Sequence, residues 1–307
     1  AYSICSSPYV DNDLAVTVKR VVGGEVSPYV NGQLKVGDTI DVMPPLGNFT
    51  VDLDPNNNKT YILFAGGSGI TPIYSIIKSI LNVELKSKLI LVYANSNEDS
   101  IIFRDALIEL KDKFDDRLTI IHQLSKPING GLEHAVGRIN KQRCLSIVNI
   151  LDHKIVRDAE FFMCGPGGMM NEIEAALEEL QIETKKIHKE SFTVAENDGT
   201  EVVKHHKTNA PEEKVETVKV ILYGEEHEIV IENNDTILVA GIKAGIDPPF
   251  SCQIGACSTC RARLVSGKVE MEADDALTEE EIEEGFVLTC TSHPLTNNVV
   301  VDYDDNY

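Results

Sequence analysis

The sequence is poor in positive charge and contains no long apolar run. Its 28 Lys and Arg residues stand against 49 Asp and Glu residues, which gives a formal net charge of −21 over 307 residues. This excess of acid argues against a nucleic-acid partner, because phosphates are bound by cationic side chains. No stretch of about 18 or more apolar residues occurs, so no membrane span is expected. A basic start followed by an apolar segment is also missing, and we therefore expect a cytoplasmic protein without a signal peptide.

The seven cysteines are an odd number, which disfavours a disulfide framework. Four of them have the spacing Cys252-x4-Cys257-x2-Cys260-x29-Cys290 near the C-terminal end. Plant-type [2Fe–2S] proteins use C-x4-C-x2-C and a distant fourth cysteine. Structural zinc is the alternative, but zinc sites usually combine two close pairs of ligands, and only one C-x2-C pair is present. We therefore predict that these four cysteines ligate a [2Fe–2S] cluster.

The loop between the first three cysteines contains only small residues around its second and third ligands, namely Gly255, Ala256, Ser258 and Thr259. Small side chains let backbone N–H groups approach the sulfur atoms, and such hydrogen bonds tune a metal centre. The fourth ligand is expected to close the site from a separate strand.

Acidic residues are concentrated in the same C-terminal part. Residues 216–307 contain 19 acidic and five basic side chains, a net charge of −14, so a domain boundary is expected near residue 215. Within this part, Thr278 followed by Glu281 is typical of a helix capping box. The run of acids from Glu279 to Glu284 is either a solvated helical face or a docking surface for a basic partner.

The rhythm of the sequence divides the chain into four parts and predicts a multidomain fold. Residues 1–55 alternate with period two between glycine and proline turns, as in part of an antiparallel β-barrel. Residues 56–192 alternate strand-like and helical patterns, which predicts an α/β domain with a parallel sheet and helices on both faces. Residues 193–215 are polar and aperiodic, as in a mobile linker. Residues 216–307 open with two alternating strands and one helix before the cysteine loop.

A glycine-rich turn follows the first predicted strand of the α/β part. It reads Gly66-Gly67-Ser68-Gly69-Ile70-Thr71-Pro72 and leads into a helix. Glycines allow the backbone to approach a diphosphate at a helix N-terminus, although many strand-to-helix turns use glycine for other reasons. The turn is not the G-x-G-x-x-G fingerprint, because Pro72 occupies the last position.

A second strand, turn and helix occur at 161–169, with Cys164-Gly165-Pro166 at the turn. Ligands of parallel sheets bind at the carboxyl ends of the strands, so both turns are expected at one edge. The alternative for Cys164 is an inert core position, which is common for a free cysteine.

Together these two turns resemble those of the ferredoxin–NADP reductase superfamily. Tyr2-Ser3-Ile4 is similar to the flavin motif R-x-Y-S followed by a small apolar residue. Residues 16–20 and 24–27 resemble the strand and turn that cradle the FAD diphosphate, 45–49 resemble the element that closes the barrel, and 188–192 resemble the end of the nucleotide domain. The family has the motif arginine and further strands upstream of this point, so we expect an incomplete flavin barrel here.

The resemblance implies an NAD(P)H-dependent oxidoreductase in which electrons pass from NAD(P)H through FAD and the [2Fe–2S] cluster to an oxygenase component. The cysteine segment implies a β-grasp ferredoxin domain. The order of the three domains narrows the choice further. The runs YSICSSP at 2–8, GGSGITP at 66–72 and GFVLTC at 285–290 look most like reductase subunits of the phenylacetyl-CoA epoxidase type, which implies a role in phenylacetate catabolism and a di-iron acceptor.

Residue by residue, the resemblance implies that Ser3 and Cys164 are catalytic, in the sense that they position and polarise. It implies that the following residues bind the flavin or the nicotinamide nucleotide: Tyr2, Ser3, Ile4, Val18, Lys19, Gly24, Val26, Ser27, Gly67, Ser68, Gly69, Thr71, Pro72, Cys164, Gly165, Pro166, Met169 and Phe192. The metal ligands are Cys252, Cys257, Cys260 and Cys290.

Three alternatives stay open at this point. Ser96 stands where related reductases often place an arginine that could clamp a 2′-phosphate, and Arg104 could substitute, so NADH and NADPH are both candidates. The chain could be an electron carrier that does not oxidise a nucleotide. Its acceptor could also be a Rieske oxygenase or another monooxygenase.

Overall fold

In a computed structural model of the chain, the structure describes residues 1–21, 23–45, 47–128, 134–151, 153–192, 215–232, 235–274 and 276–305. The chain divides into two compact units. One comprises Tyr2–Met43 and Phe49–Phe192, and the other comprises Ala1, Pro44–Asn48 and Thr193–Tyr307. The predicted linker 193–215 lies outside the described residues except for Val215. No helix among these residues is long and apolar enough to cross a membrane.

The first unit contains a parallel sheet flanked by helices. Its helices are α1 Val26–Gly32, α2 Ile70–Val83, α3 Arg104–Lys113, α4 Lys141–Val148, α5 His153–Asp158 and α6 Gly167–Glu179. Its strands are β1 Thr60–Gly66, β2 Lys88–Asn95, β3 Leu118–Leu124, β4 His134–Val136, β5 Glu160–Gly165 and β6 Ile187–Ser191. Short 3₁₀ turns occupy Gly67–Gly69, Glu98–Ser100 and Thr184–Lys186.

The six strands are ordered β4-β3-β2-β1-β5-β6 and all pairs are parallel. Strand β1 lies in the centre and is buried from Tyr61 to Gly66, which explains why its sequence is a continuous apolar run rather than an alternating one. One face packs against α2 and α3, and the other packs against α4, α5 and α6. The predicted parallel sheet with helices on both faces is therefore confirmed.

Residues 1–55 differ in part from the expected β-structure. Among the described residues before β1, the β-pairing consists of one antiparallel bridge between Ile4 and Val16. Helix α1 forms where only strands and turns were expected. The helix is compatible with Pro28 because a proline in the first turn has no intrahelical N–H to lose. Asn31 then donates from its side-chain amide to the carbonyl of Ser27 at 2.8 Å, which stabilises the turn.

The second unit contains a mixed sheet with one helix against it. Its strands are β7 Thr217–Leu222, β8 Glu225–Val230, β9 Arg261–Ser266, β10 Val269–Met271, β11 Phe286–Leu288, β12 Ser292–Pro294 and β13 Val300–Asp302, and its helices are α7 Ile237–Lys243 and α8 Glu279–Glu283. The five-stranded sheet has the order β11-β9-β13-β7-β8, and β10 pairs with β12. The first and last strands, β7 and β13, pair in parallel, whereas the other neighbours are antiparallel. Buried Ile237 and Ala240 of α7 complete the core.

A buried carboxylate closes the amino-terminal edge of the parallel sheet. Glu84, directly after α2, is fully buried and accepts hydrogen bonds from four residues. The donors are the Tyr61 hydroxyl at 3.0 Å, the Asn57 amide at 2.7 Å, the Ser87 hydroxyl at 2.7 Å and the Asp54 backbone N–H at 3.3 Å. A charge with this many donors is satisfied without water, so its removal would leave buried donors unpaired.

We predict that Glu84→Ala lowers the free energy of unfolding by about 2–4 kcal/mol, because four donors lose their acceptor and two of them, the hydroxyls of Tyr61 and Ser87, belong to buried residues. Chemical denaturation of the variant measures this loss. Glu178→Ala on the exposed side of α6 is the matched control and should change stability by less than about 0.5 kcal/mol. Equal effects of the two substitutions would contradict a structural role for Glu84.

Candidate functional site

The two turns predicted at one edge of the sheet are in direct contact. Strands β1 and β5 pair in parallel, with Ala65 opposite Cys164, so both chains leave the sheet side by side. A Cβ atom on Gly69 would lie 2.8 Å from the Gly165 nitrogen and would collide with the carbonyl group of Cys164. Glycine is therefore required at position 69 by the close approach of the second turn.

The glycine turn has the geometry of an anion site. Gly67 adopts a left-handed conformation with φ of +53°, which favours glycine. The Thr71 hydroxyl donates to the Ser68 carbonyl at 3.0 Å and fixes the first turn of the 14-residue helix α2. Pro72 lies in the same turn, where an N–H is not needed. The N-terminus of a helix that follows a glycine turn suits a phosphate.

Lys19 provides a positive charge at this turn. Its ammonium group would lie 3.6 Å from a Cβ placed on Gly67. The resemblance assigns Lys19 to the flavin diphosphate, whereas the structure places its ammonium group at the glycine turn. A cation here favours the diphosphate of a nucleotide held by that turn.

Three polar side chains meet beyond the carboxyl end of β5. The Ser3 hydroxyl donates to the Glu190 carboxylate at 2.8 Å, and the Cys164 thiol lies 4.0 Å from the same oxygen. The contact follows from the sheet, because Cys164 and Glu190 are register partners on β5 and β6. The structure therefore brings together the two predicted catalytic residues and adds Glu190, which the sequence analysis did not select.

Burial controls the protonation of this cluster. It raises the pKa of the Cys164 thiol well above its ordinary value, and the nearby Glu190 carboxylate acts in the same direction. The thiol is therefore protonated at neutral pH and is not a nucleophile. Burial also raises the pKa of Glu190, partly opposed by the hydrogen bond from Ser3. The Glu190 carboxyl group thus takes up a proton at a higher pH than an ordinary glutamate.

The remaining flavin and nucleotide candidates have different environments. Met169 packs its methyl group against Gly66 and Gly165, where a Cβ on Gly66 would lie 3.0 Å from it and 2.6 Å from Pro166 Cδ. Ser27 is buried, and its hydroxyl accepts the Val21 N–H at 3.0 Å. Other candidates lie on the surface or partly exposed in the first unit: Tyr2, Ile4, Val18, Gly24, Val26 and Phe192. The two turns contact each other, and Ser3 is connected to Cys164 of the second turn through Glu190. No such contact is described for residues 24–27.

The four cysteines of the second unit converge. The Cys252 thiol is within hydrogen-bonding reach of Cys257 and of Cys290, and Cys290 is within reach of Cys260. These contacts run from Cys257 through Cys252 and Cys290 to Cys260, so the four thiols lie together as four cysteine ligands of one cluster would.

Backbone donors surround these sulfur atoms. The Ile254 N–H donates to Cys252 Sγ at 3.5 Å. The pKa of Cys252 is lowered first by hydrogen bonds with the thiols of Cys257 and Cys290 and then by this N–H and that of Ala256. Gly255 has φ of +75°, and a Cβ there would lie 2.8 Å from the Ala273 carbonyl oxygen. The loop is therefore too crowded for a larger residue, and its donor set of thiols and N–H groups fits a [2Fe–2S] cluster.

The segment that carries the fourth predicted ligand, Cys290, is fixed by hydroxyl groups. Cys290 follows β11, and the preceding Thr289 donates its hydroxyl to the Cys260 carbonyl at 3.0 Å. The Tyr303 hydroxyl donates to Thr289 Oγ1 at 2.7 Å. The chain segments that carry the third and fourth ligands are thereby held together.

The acidic helix α8 begins as predicted. Thr278 accepts the Glu281 N–H at 3.2 Å, and the Glu281 carboxylate accepts the Thr278 N–H at 2.9 Å, which is a capping box. Glu281 also pairs with Arg261, the residue after Cys260, so this carboxylate is structural. Glu279, Glu280, Glu283 and Glu284 are exposed.

Three families of known domains match this chain. They are an oxidoreductase FAD-binding domain over residues 1–51, an oxidoreductase NAD-binding domain over 63–175 and a 2Fe-2S iron-sulfur cluster binding domain over 220–295. The predicted FAD, NAD(P)H and [2Fe–2S] domains are confirmed by these matches. They also favour the iron–sulfur cluster over zinc at the cysteine site.

Similar curated proteins cover almost the whole chain. A component of the 1,2-phenylacetyl-CoA epoxidase of Escherichia coli (strain K12) is 37% identical over 99% of this chain and 83% of its own length. The ferredoxin reductase component of 3-ketosteroid-9-alpha-monooxygenase from Mycobacterium tuberculosis (strain H37Rv) is 38% identical over 99% of this chain and 80% of its own length. Among solved structures, phthalate dioxygenase reductase has the same fold, with a TM-score of 0.52, 24% identity and coverage of 98% of this chain and 82% of its own.

We predict two irons and two acid-labile sulfides per chain, because the four cysteines form one two-iron site. Cys257→Ser should remove most of this iron and sulfide, as measured by elemental analysis and visible absorbance. Cys144→Ala is the control, since Cys144 is a buried free cysteine of the first unit, and it should retain the cluster. One zinc and no sulfide in the unaltered protein would contradict the assignment.

We predict that Gly69→Ala destabilises the first unit by about 1–3 kcal/mol, because the new methyl group collides with the Cys164 carbonyl. It should also weaken the binding of NADP⁺ or NAD⁺ measured by calorimetry. Gly168→Ala is the matched control, since a Cβ at position 168 meets nothing within 4 Å. If nucleotide binding is lost in both variants, or in neither, the contact between the two turns is not required for nucleotide binding.

Proposed function

The chain belongs to the ferredoxin-reductase-type oxidoreductases that carry a C-terminal [2Fe–2S] domain, and from this we propose that it oxidises NAD(P)H and delivers electrons through FAD and the cluster to an oxygenase component. The observation that carries the proposal is the meeting of Ser3, Cys164 and Glu190 beside the glycine turn. A non-enzymatic carrier would not require this partly buried polar cluster at the edge where nucleotides bind.

The side chains would share the work as follows. The glycine turn, the N-terminus of α2 and Lys19 bind the phosphates of the nucleotide. The Cys164-Gly165-Pro166 turn forms the wall against which the nicotinamide is oriented, and its neutral thiol excludes water. Ser3 donates its hydroxyl proton to Glu190 and would be a residue that holds the flavin, while the raised pKa of Glu190 lets this carboxyl group retain a proton at a higher pH than an ordinary glutamate. When bound, FAD accepts a hydride and the cluster carries single electrons.

We propose that the acceptor is a phenylacetyl-CoA epoxidase-type oxygenase. The support is the 37% identity to the Escherichia coli epoxidase component over nearly the whole chain. The 38% identity to the reductase component of 3-ketosteroid-9-alpha-monooxygenase favours a second candidate acceptor equally well. Electron delivery to each purified oxygenase, measured as product formed per NAD(P)H consumed, separates the two. A cytoplasmic location stays a prediction of the sequence.

We predict that Cys164→Ala slows reduction of the flavin by NAD(P)H by about 10–100-fold, because the nicotinamide loses part of the wall that orients it. Anaerobic stopped-flow absorbance measures this rate. Reduction of the cluster by dithionite in the same variant should be unchanged. Cys144→Ala, which removes another buried thiol of the unit, serves as the control. An unchanged rate in Cys164→Ala would mean that Cys164 only packs.

We predict that electron delivery to the oxygenase falls steeply between about 0.1 and 1 M salt, where the Debye length shrinks from about 10 to 3 Å. Reduction of a small neutral acceptor at the flavin should change far less. Glu279→Gln, Glu280→Gln and Glu283→Gln together should flatten the salt dependence. Glu225→Gln, Glu226→Gln and Glu228→Gln on β8 remove the same charge from another surface and should not. If both triple variants behave alike, net charge rather than docking at α8 governs the rate.

A further inference from the structure

The buried hydroxyl of Tyr93 connects two loops. This tyrosine has no role in the function proposed above. Tyr93 lies near the end of β2, and its side chain is fully buried. The hydroxyl donates to the Gly67 carbonyl at 3.0 Å and accepts the Ile102 N–H at 3.2 Å. Gly67 belongs to the glycine turn after β1, and Ile102 belongs to the loop between β2 and α3. One oxygen atom therefore holds both loops.

The Tyr93 hydroxyl and the Ile70 N–H both donate to the Gly67 carbonyl, and together they fix the orientation of a peptide unit in the glycine turn. In a planar trans peptide, the carbonyl of one residue and the N–H of the next point in opposite directions. Because the Gly67 carbonyl is held towards the buried Tyr93 hydroxyl, the Ser68 N–H is directed away from it. An N–H fixed in this way is preorganised to bind an anion at the turn.

The bond to Ile102 fixes the second loop. Phe103, the next residue, has a left-handed backbone with φ of 60°, which is costly for a non-glycine residue and needs support from its surroundings. Its ring stacks on Tyr74 of α2 with a centroid distance of 4.5 Å. In dinucleotide-binding α/β sheets, the loop after the first strand binds the diphosphate and a residue about 20 positions further along contacts the ribose. The two loops held by Tyr93 thus correspond to the diphosphate and the adenosine ribose of one dinucleotide.

We propose that Tyr93 is a positioning residue that couples the diphosphate turn to the loop after β2 and so preorganises the chain for a nicotinamide dinucleotide. The inference rests on the proposed NAD(P)H site, and because Tyr93 is fully buried it would act through the two loops rather than by contact with a nucleotide. Its hydroxyl is protonated throughout the neutral range, because burial raises the pKa of Tyr93 to about 12. The Tyr93 hydroxyl can therefore donate to the Gly67 carbonyl throughout the neutral pH range.

The test compares Tyr93→Phe with Tyr61→Phe in the full chain. Both substitutions remove one buried tyrosine hydroxyl from neighbouring strands. The Tyr61 hydroxyl bonds to Glu84 at the opposite, amino-terminal edge of the sheet, so it controls for a general loss of stability. Isothermal titration with NADP⁺ and with NAD⁺ measures binding, and thermal unfolding measures stability. Steady-state turnover with ferricyanide separates KM from kcat.

We expect Tyr93→Phe to raise the Kd and the KM for the nucleotide by about three- to tenfold, with kcat within about twofold. Tyr61→Phe should lower the unfolding midpoint and leave Kd unchanged. An unchanged Kd in Tyr93→Phe, or an equal rise in both variants, would overturn the coupling. If the unaltered chain binds neither nucleotide, the proposed function fails and the inference fails with it.

Hydrogen–deuterium exchange of the unaltered chain gives a second readout that does not depend on the variant folding. Saturating NADP⁺ or NAD⁺, whichever binds, should slow exchange in residues 66–71 and also in residues 98–103. Protection confined to the first segment would contradict the coupling of the two loops.

Discussion

The site of the first unit depends on the parallel pairing of β1 with β5. That pairing makes two turns leave the sheet so close together that only hydrogen fits on the Cα of Gly69 against the Cys164 carbonyl. The same sheet places β6 beside β5, and this brings Glu190 to Cys164. An anion site and a protonated thiol beside a carboxyl group are thereby produced by strand register, before any ligand contributes. Function at this edge is a consequence of how tightly the backbones approach.

In the second unit, close backbone approach again shapes the predicted site, but here it occurs within a loop rather than between strands. Its four cysteines come from one crowded loop and from the chain after β11. The positive φ of Gly255 and its close approach to Ala273 shape the loop. The hydroxyls of Thr289 and Tyr303 connect Cys260, the last cysteine of the loop, to the segment that carries Cys290. In the first unit, strand register positions Cys164 and Glu190. In the second unit, the hydroxyls of Thr289 and Tyr303 position the cysteine segments.

The sequence predicts these features unequally. The apolar run of β1 and the alternation of strands and helices predict the parallel sheet, since buried strands and amphipathic helices have different periods. The cysteine spacing predicts the ligands, because it reflects local chain geometry. Glu190 and Tyr93 could not be selected, since their roles arise from register between strands that are distant in sequence. Helix α1 was missed because it is held by local side-chain bonds of Ser27 and Asn31 that carry no periodic signal.

We propose that one chain takes electrons from a nicotinamide nucleotide and places them on its own [2Fe–2S] cluster. Anaerobic titration of the FAD-loaded protein with NADPH and NADH, followed by electron paramagnetic resonance, tests it most directly. The account predicts the signal of a reduced [2Fe–2S] cluster with NADPH or NADH as the sole electron donor, and its loss in the Cys164→Ala variant at short reaction times. A cluster that dithionite reduces but neither nucleotide reduces would contradict it.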